Sequence, residues 1–149
     1  MKLYLTLRAL TLRRERSRLF ALGAYRALGA DGPHADHLVA LARTDGADAV
    51  VAVVPRLTAR LDGLTGSILL GEAAWEHTSI VLGEDLAGVY RDRFTGRAVT
   101  SERRDGIAVL PVGKLLAHFP VALLERVAVT HGVAVPPRVA VIPPVAVIQ

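Results

Sequence analysis

A chain of 149 residues has room for one domain, or one domain and a tail, with enough length to bury a core. Its 52% hydrophobic and 21% charged residues exclude wholesale disorder. The lack of cysteine rules out disulfides, thiolate metal sites and a cysteine nucleophile, and fits a reducing cytoplasm. A net charge of +4 permits acidic partners without demanding them, and only 5% of the residues are aromatic. That leaves little stacking surface for single strands, so nucleic acid is not expected as a partner. No apolar run reaches the roughly 18–20 residues of a membrane span. Charges also interrupt the first segment too often for a signal peptide, so a soluble, intracellular chain is expected.

Residues 2–22 read KLYLTLRALTLRRERSRLFAL. Leu3, Leu5 and Leu7 alternate with Tyr4, Thr6 and Arg8 as a strand would, yet leucine, alanine and arginine favour helix. Length decides for one helix, because no glycine or proline intervenes before Gly23, which stands where a C-terminal cap belongs. At about 100° per residue, Leu3, Leu7 and Leu10 form one stripe and Leu5, Ala9 and Leu12 another on nearly the opposite side. A helix with two apolar stripes needs partners on both faces. Arg13, Arg14, Arg16 and Arg18, interrupted by Glu15, place cations near the negative end of the helix dipole.

Beyond Gly23, Asp-Gly pairs at 31–32, 45–46, 62–63 and 105–106 punctuate the chain as turns, since glycine accepts positive φ and aspartate bonds its own backbone. Runs of strand length lie between them, at residues 24–28, 37–43, 47–54, 77–82, 88–94, 97–100 and 106–110. This spacing predicts an antiparallel β-sandwich preceded by one helix, a mainly β fold. The run ending at Val54 is apolar on both sides and reads as a central strand that Pro55 closes. Thr95-Gly96 turns the chain between two paired strands, Pro111 opens a short helix through Leu116, and residues 119–124 close the domain. Three parts result: a helix over residues 1–22, a sandwich over 23–126, and a tail over 127–149.

The tail repeats Val-Ala-Val from Val127, Val133, Val139 and Val145, with proline pairs at 136–137 and 143–144. A six-residue period suggests a β-helix, but four copies make too few coils to bury a face. A disordered or loosely laid low-complexity extension is the reading kept.

Candidate chemistry is sparse. His34 and His37, with Asp36, are potential metal ligands but read as a loop pair without a second ligand cluster. Glu72, Glu76, Glu84 and Asp85 near Trp75 suggest a glycosidase-like acid and base, although their glycine-flanked positions read as solvated turns. Ser67 and Ser79 lack a nucleophile-elbow context, and residues 63–67 lack the Gly-Lys-Ser/Thr of a phosphate loop. Trp75, Tyr25 and Tyr90 are candidate sugar platforms, with packing the plainer use. No catalytic, metal or cofactor-binding residue is assigned, and no cofactor is expected.

Seven pieces carry a family resemblance: KLYLTLRALTLRRER, LFALGAYRAL, HLVALAR, VVAVVPRLTARL, WEHTSIVL, YRDRFTGRAV and LPVGKLLAHFPVALL. In this order, over residues 2–124, the chain resembles the C-terminal region of maltooligosyltrehalose synthase, an α-amylase-superfamily isomerase. That enzyme converts the reducing-end α-1,4 bond of a maltodextrin into a trehalosyl α,α-1,1 bond in trehalose biosynthesis. The resemblance implies that the opening helix closes the catalytic barrel region and that the strands form the β-domain after it. Two departures stand out. Around the tryptophan the family pattern is expected to have Asp before the threonine and Leu-Pro after it, where this chain has His77 before Thr78 and Leu82-Gly83. The family's catalytic carboxylates also belong to the barrel, so none maps onto these residues.

The resemblance thus implies a β-domain fragment, inactive alone, that meets maltodextrin only through the parent enzyme. One stripe of the helix would face the sandwich and the other a barrel chain or a second copy. The reading from another class is a non-enzymatic module binding a partner protein or glucan; nucleic-acid binding by the basic helix is a third. For the tail, whose paired prolines deny ladder donors, truncation after Arg126 is expected to leave the thermal midpoint nearly unchanged. A large drop in melting temperature would make the tail a structural strand.

Overall fold

Alternation along the strands sets the layers. In the computed structural model, which describes residues 1–61 and 69–127, strands β3 (Leu38–Asp45) and β4 (Asp48–Pro55) form a hairpin in full register from Leu38↔Pro55 to Asp45↔Asp48. Leu38, Ala40, Ala42, Ala49, Val51 and Val53 point inward to the main core, whereas Val50 points outward and is buried all the same. Val50 therefore has a second layer over it. That layer is helical: α1 (Lys2–Glu15) and α2 (Ser17–Leu22) bring Leu12 and Leu19 against Val50 and Leu123.

Two sheets make the sandwich. The larger runs β1 (Ala24–Leu28), β3, β4, β10 (Ala122–Arg126), β6 (Val89–Asp92) and β7 (Ala98–Thr100). The smaller runs β2 (Ala30–Asp31), β5 (Ser79–Val81), β9 (Ile107–Pro111) and β8 (Glu102–Arg104). Among the described residues every pairing is antiparallel. The chain passes between sheets at Gly29 and Ser101, where Val81 N–H donates to the Gly29 carbonyl and Ser101 N–H to that of Gly88. Ile80, Leu110, Leu124, Tyr90 and Trp75 fill the space between. Short helices α3 (Gly71–Trp75) and α4 (Val112–Leu115) close one end.

The mainly β sandwich with helix at the N-terminus is as the spacing predicts, and β4 is central. The helix differs in detail. It breaks at Arg16 (φ −113°, ψ 39°), which lets Leu19 join Leu12 on the sheet. Gly23 is the C-terminal cap as expected, its N–H donating to the Leu19 carbonyl at 2.9 Å, although its backbone is extended, with φ −64° and ψ 147°. A side chain there would collide with the Leu19 carbonyl at 2.3 Å, so glycine is needed for room. Sequence runs missed β2 and β8, which are too short or too polar to show a pattern, and also β10, where residues 119–124 were read only as closing the domain. Of the turn pairs, 45–46 and 105–106 close hairpins, 31–32 ends β2 in a loop, and 62–63 lies outside the described residues, as do 63–67 and the tail beyond Val127.

The two helix stripes are sorted. Leu12 is wholly buried and Leu5 half-buried, while Leu3, Leu7 and Leu10 face solvent, as does Ala9. Polar contacts fix the docking: Arg93 reaches Glu125 at 2.9 Å and also Glu15, Arg16 pairs with Glu125, and Arg8 donates to the Arg93 carbonyl at 2.8 Å. Tyr4 packs against Phe94 and Phe119. Arg18 pairs with Asp45 at 2.8 Å, so several of the helix arginines are already compensated within the domain. Among the described residues, no helix is long and apolar enough to cross a membrane. Leu12→Ala is expected to cost about 2–5 kcal/mol in urea unfolding, and Leu10→Ala about 0.5 kcal/mol or less. Equal losses would mean both stripes are packed.

Candidate functional site

The four acidic candidates separate into two places. Glu84 and Asp85 stand on a 3₁₀ turn over Glu84–Leu86, where Arg103 reaches Glu84 at 2.6 Å and Arg26 holds Asp85 at 2.9 Å. The Arg26 hydrogen bond keeps the Asp85 carboxyl below its ordinary value of 3.8 against a smaller desolvation effect, so this acid stays ionised at neutral pH. Glu72, on α3, and Glu76, just after it, rim a shallow depression of about 490 Å³ with His77, Glu102, Arg104 and Lys114. His34 Nε2 lies 3.5 Å from Glu76, and Lys114 donates to Glu102 at 2.6 Å, which holds the lysine above its ordinary value. A general acid needs burial to keep its proton near neutral pH, yet all of these carboxylates are exposed and most face a cation. The depression is a charged surface without the elements of an acid and base pair.

A narrower cleft of about 310 Å³ adjoins it, sharing Glu72, Gly113 and Lys114 and walled further by Asp92, Thr95, Arg97 and His118. Gly113 allows the two short helices to meet, because an added Cβ would lie 2.7 Å from the Glu72 Cα. Asp92 is the buried carboxylate that the sequence reading missed. One oxygen accepts from the N–H groups of Phe94 (3.1 Å) and Leu123 (3.4 Å), the other from the Thr95 hydroxyl (2.6 Å). Its capacity is spent on the turn after β6 and on the entry to β10. The signal was there in Asp92-Arg93-Phe94-Thr95-Gly96, an aspartate set to bond the backbone two residues on.

The other candidates resolve individually. Trp75 is fully buried, edge-on to His34, and its indole N–H donates to the Leu69 carbonyl at 3.3 Å; Tyr90 is buried with its hydroxyl on the Leu86 carbonyl. Neither can stack on a sugar, because core packing covers both rings, and of the three platforms only Tyr25 is exposed. His37 Nδ1 lies 3.1 Å from the Leu57 carbonyl and Asp36 is exposed. Among the described residues no group of three or more His, Asp or Glu side chains is placed to hold a metal. Ser79 is buried in β5 with its hydroxyl unpaired and without a histidine partner, and Ser67 lies outside the described residues. His77 is exposed.

No family model matches the chain. Two Mycobacterium tuberculosis proteins, from different strains and carrying the provisional name maltooligosyl trehalose synthase, are each 36% identical to it over 118 residues. The match covers 79% of this chain and 12% of each relative. A solved structure of a point mutant of maltooligosyltrehalose synthase from Arthrobacter ramosus superposes with a TM-score of 0.57 at 32% identity, over 80% of this chain and 13% of that one. In sequence and fold alike, the chain is similar to one region of this larger enzyme, and it spans about an eighth of the length of the relatives it matches.

Tyr90 gives the site region a pH test. Burial pushes its phenol above the ordinary 10.0, opposed by the nearby Arg126 charge. A raised folded value favours the protonated form, so the stability it contributes is present below about pH 10 and is lost as pH rises through the folded value. Tyr90→Phe is expected to cost about 0.5–1.5 kcal/mol at pH 7 and to flatten the loss of stability above about pH 10. Urea unfolding at both pH values checks this; unchanged alkaline slopes would place the phenol in water.

Proposed function

We propose, from its likeness to one region of maltooligosyltrehalose synthase, that this chain is the C-terminal β-domain of such an enzyme, where it acts as a structural unit without catalytic residues of its own. The parent reaction is an intramolecular glucosyl transfer, an isomerisation that turns the reducing end of a maltodextrin into a trehalosyl end for trehalose biosynthesis. Transfer through an oxocarbenium-like transition state calls for two carboxyl groups placed on either side of one bond. The observation that carries the reading is the combination of about one-third identity and a shared fold over four-fifths of the chain, against an eighth of the relatives. In support, the exposed acids near Trp75 are divided between two surfaces, and Asp85, Glu84 and Glu76 lie beside Arg26, Arg103 and His34.

The boundaries follow from the same reading: residues 1–22 adjoin the barrel, 23–126 form the sandwich, and 127–149 lie beyond it. Incubated with maltohexaose, the purified 149-residue chain is expected to leave the concentration of reducing ends unchanged. Loss of reducing ends in proportion to protein would overturn the reading of a non-catalytic domain.

A further inference from the structure

We propose that a depression between the α1–α2 break and the β6–β10 ladder binds a phosphate group, free or as the monoester of a small molecule. The depression measures about 220 Å³ and is lined by Arg16, Arg91, Arg93, Arg126, Glu125 and Val127. Four guanidinium groups thus share a space with one carboxylate. It is smaller than the roughly 300–1,000 Å³ of pockets that enclose a drug-sized ligand, and it suits one anionic group. This goes beyond the β-domain reading and does not rest on it.

Strand register explains why a cation is left over. Arg91 stands directly opposite Glu125, and alternation with buried Tyr90 and Leu124 puts both side chains on the outer face. Opposite charges in that relation ordinarily pair. They do not pair here, because one Glu125 oxygen accepts from Arg16 Nε and the other from Arg93 at 2.9 Å. Among the described residues, exposed Arg91 has no hydrogen-bond or ion-pair partner, and the two terminal nitrogens of Arg16 have none. Arg93 Nε is buried without a partner. Arg126 directs its terminal nitrogens to the Asp85 and Ala87 carbonyls and contributes charge alone. The acids bonded to these four arginines among the described residues are Glu15 and Glu125, so positive charge is in excess. Residues 128–149 contain no aspartate or glutamate to offset it.

The spare donors set the ligand's chemistry. A carboxylate offers two oxygens, and Glu125 already fills that role. A phosphate monoester carries nearly two negative charges and three acceptor oxygens, which matches N–H groups arriving from Arg16, Arg91 and Arg93. Guanidinium forks favour such an anion. Bound there, it would bridge the helical layer to β6 beside the small apolar contact of Leu12 and Leu19, and so stabilise the folded chain.

The test follows thermal melting and titration calorimetry of the 149-residue chain in sodium phosphate or glycerol 3-phosphate, against sodium chloride of equal ionic strength. Arg91→Gln and Arg91→Lys are compared with Lys2→Gln, a change of equal charge about 20 Å away along α1. Both phosphates are expected to raise the melting temperature of the unaltered and Lys2→Gln chains and to give saturable heat. Arg91→Gln is expected to weaken binding about tenfold or more, and Arg91→Lys to fall between, since an ammonium keeps the charge without the fork. Tighter binding of glycerol 3-phosphate than of phosphate assigns the site to an esterified ligand, and the reverse assigns it to the free anion. An equal rise in all four chains is the general effect of phosphate on burial and overturns the site, as does the absence of saturable heat with either probe at millimolar concentration. In chloride, Arg91→Gln is expected to melt no lower than the unaltered chain. A lower value would mean that Arg91 already has a partner within the chain, and the proposal fails.

Discussion

The fold depends on where β10 sits. This last described strand pairs with β4 from Ala122↔Val53 to Glu125↔Val50 and with β6 from Leu124↔Asp92 to Arg126↔Tyr90, so it joins two otherwise separate parts of the larger sheet. Without it, β4 and β6 would each present an unpaired edge, which proteins rarely leave open. Its side chains serve three layers: Ala122 and Leu124 enter the inter-sheet core, Leu123 sits under the helices, and Glu125 accepts from Arg16 and Arg93. Arg126 donates to the Asp85 and Ala87 carbonyls and tethers the 3₁₀ turn between β5 and β6. Because β10 is distant in sequence from β4, closing the sheet carries a loop-entropy cost that these contacts must offset.

The buried Asp92 belongs to the same closure. It stops β6, sets the Thr95-Gly96 turn and accepts from the Leu123 N–H, so one carboxylate ties the β6–β7 turn to β10. Beside it, the Arg93 guanidinium carries the connection outward to α1 through Glu15 and Glu125. The helical layer is therefore held by a small apolar contact, Leu12 and Leu19 on Val50 and Leu123, framed by charged groups. Such partly exposed ion pairs add little stability each. Their geometry fixes which side of α1 faces the sheet.

The likeness to maltooligosyltrehalose synthase agrees with what the side chains offer. The conspicuous acids are surface groups, of which Glu84 and Asp85 are matched to Arg103 and Arg26, and the conspicuous aromatics, Trp75 and Tyr90, are core. The ordered pieces of sequence coincide with structural joints. YRDRFTGRAV contains the Asp92 turn, and LPVGKLLAHFPVALL contains Gly113, which lets α4 meet α3, and runs into β10. A fold of this size keeps such joints because each lies where two elements approach closely.

By itself the sequence determined the class of fold and most of its elements. Alternating apolar runs broken by Asp-Gly and Thr-Gly turns specify β1, β3, β4, β6, β7 and β9 locally, through side-chain period and turn geometry. The doubly apolar run at β4 likewise announced a strand covered on both faces. The ordered motifs pointed to the family region. Only tertiary structure decided which stripe of α1 is buried, that the helix breaks at Arg16, that Gly23 serves for clearance, and that short polar β8 belongs to the second sheet. The charged site was equally illegible, since Glu72 shares a rim with Glu102 and not with Glu84. The physical reason is common to all of these: period and turn chemistry are properties of neighbours in sequence, whereas burial and charge pairing come from residues that the chain brings together only once β10 has closed the sheet.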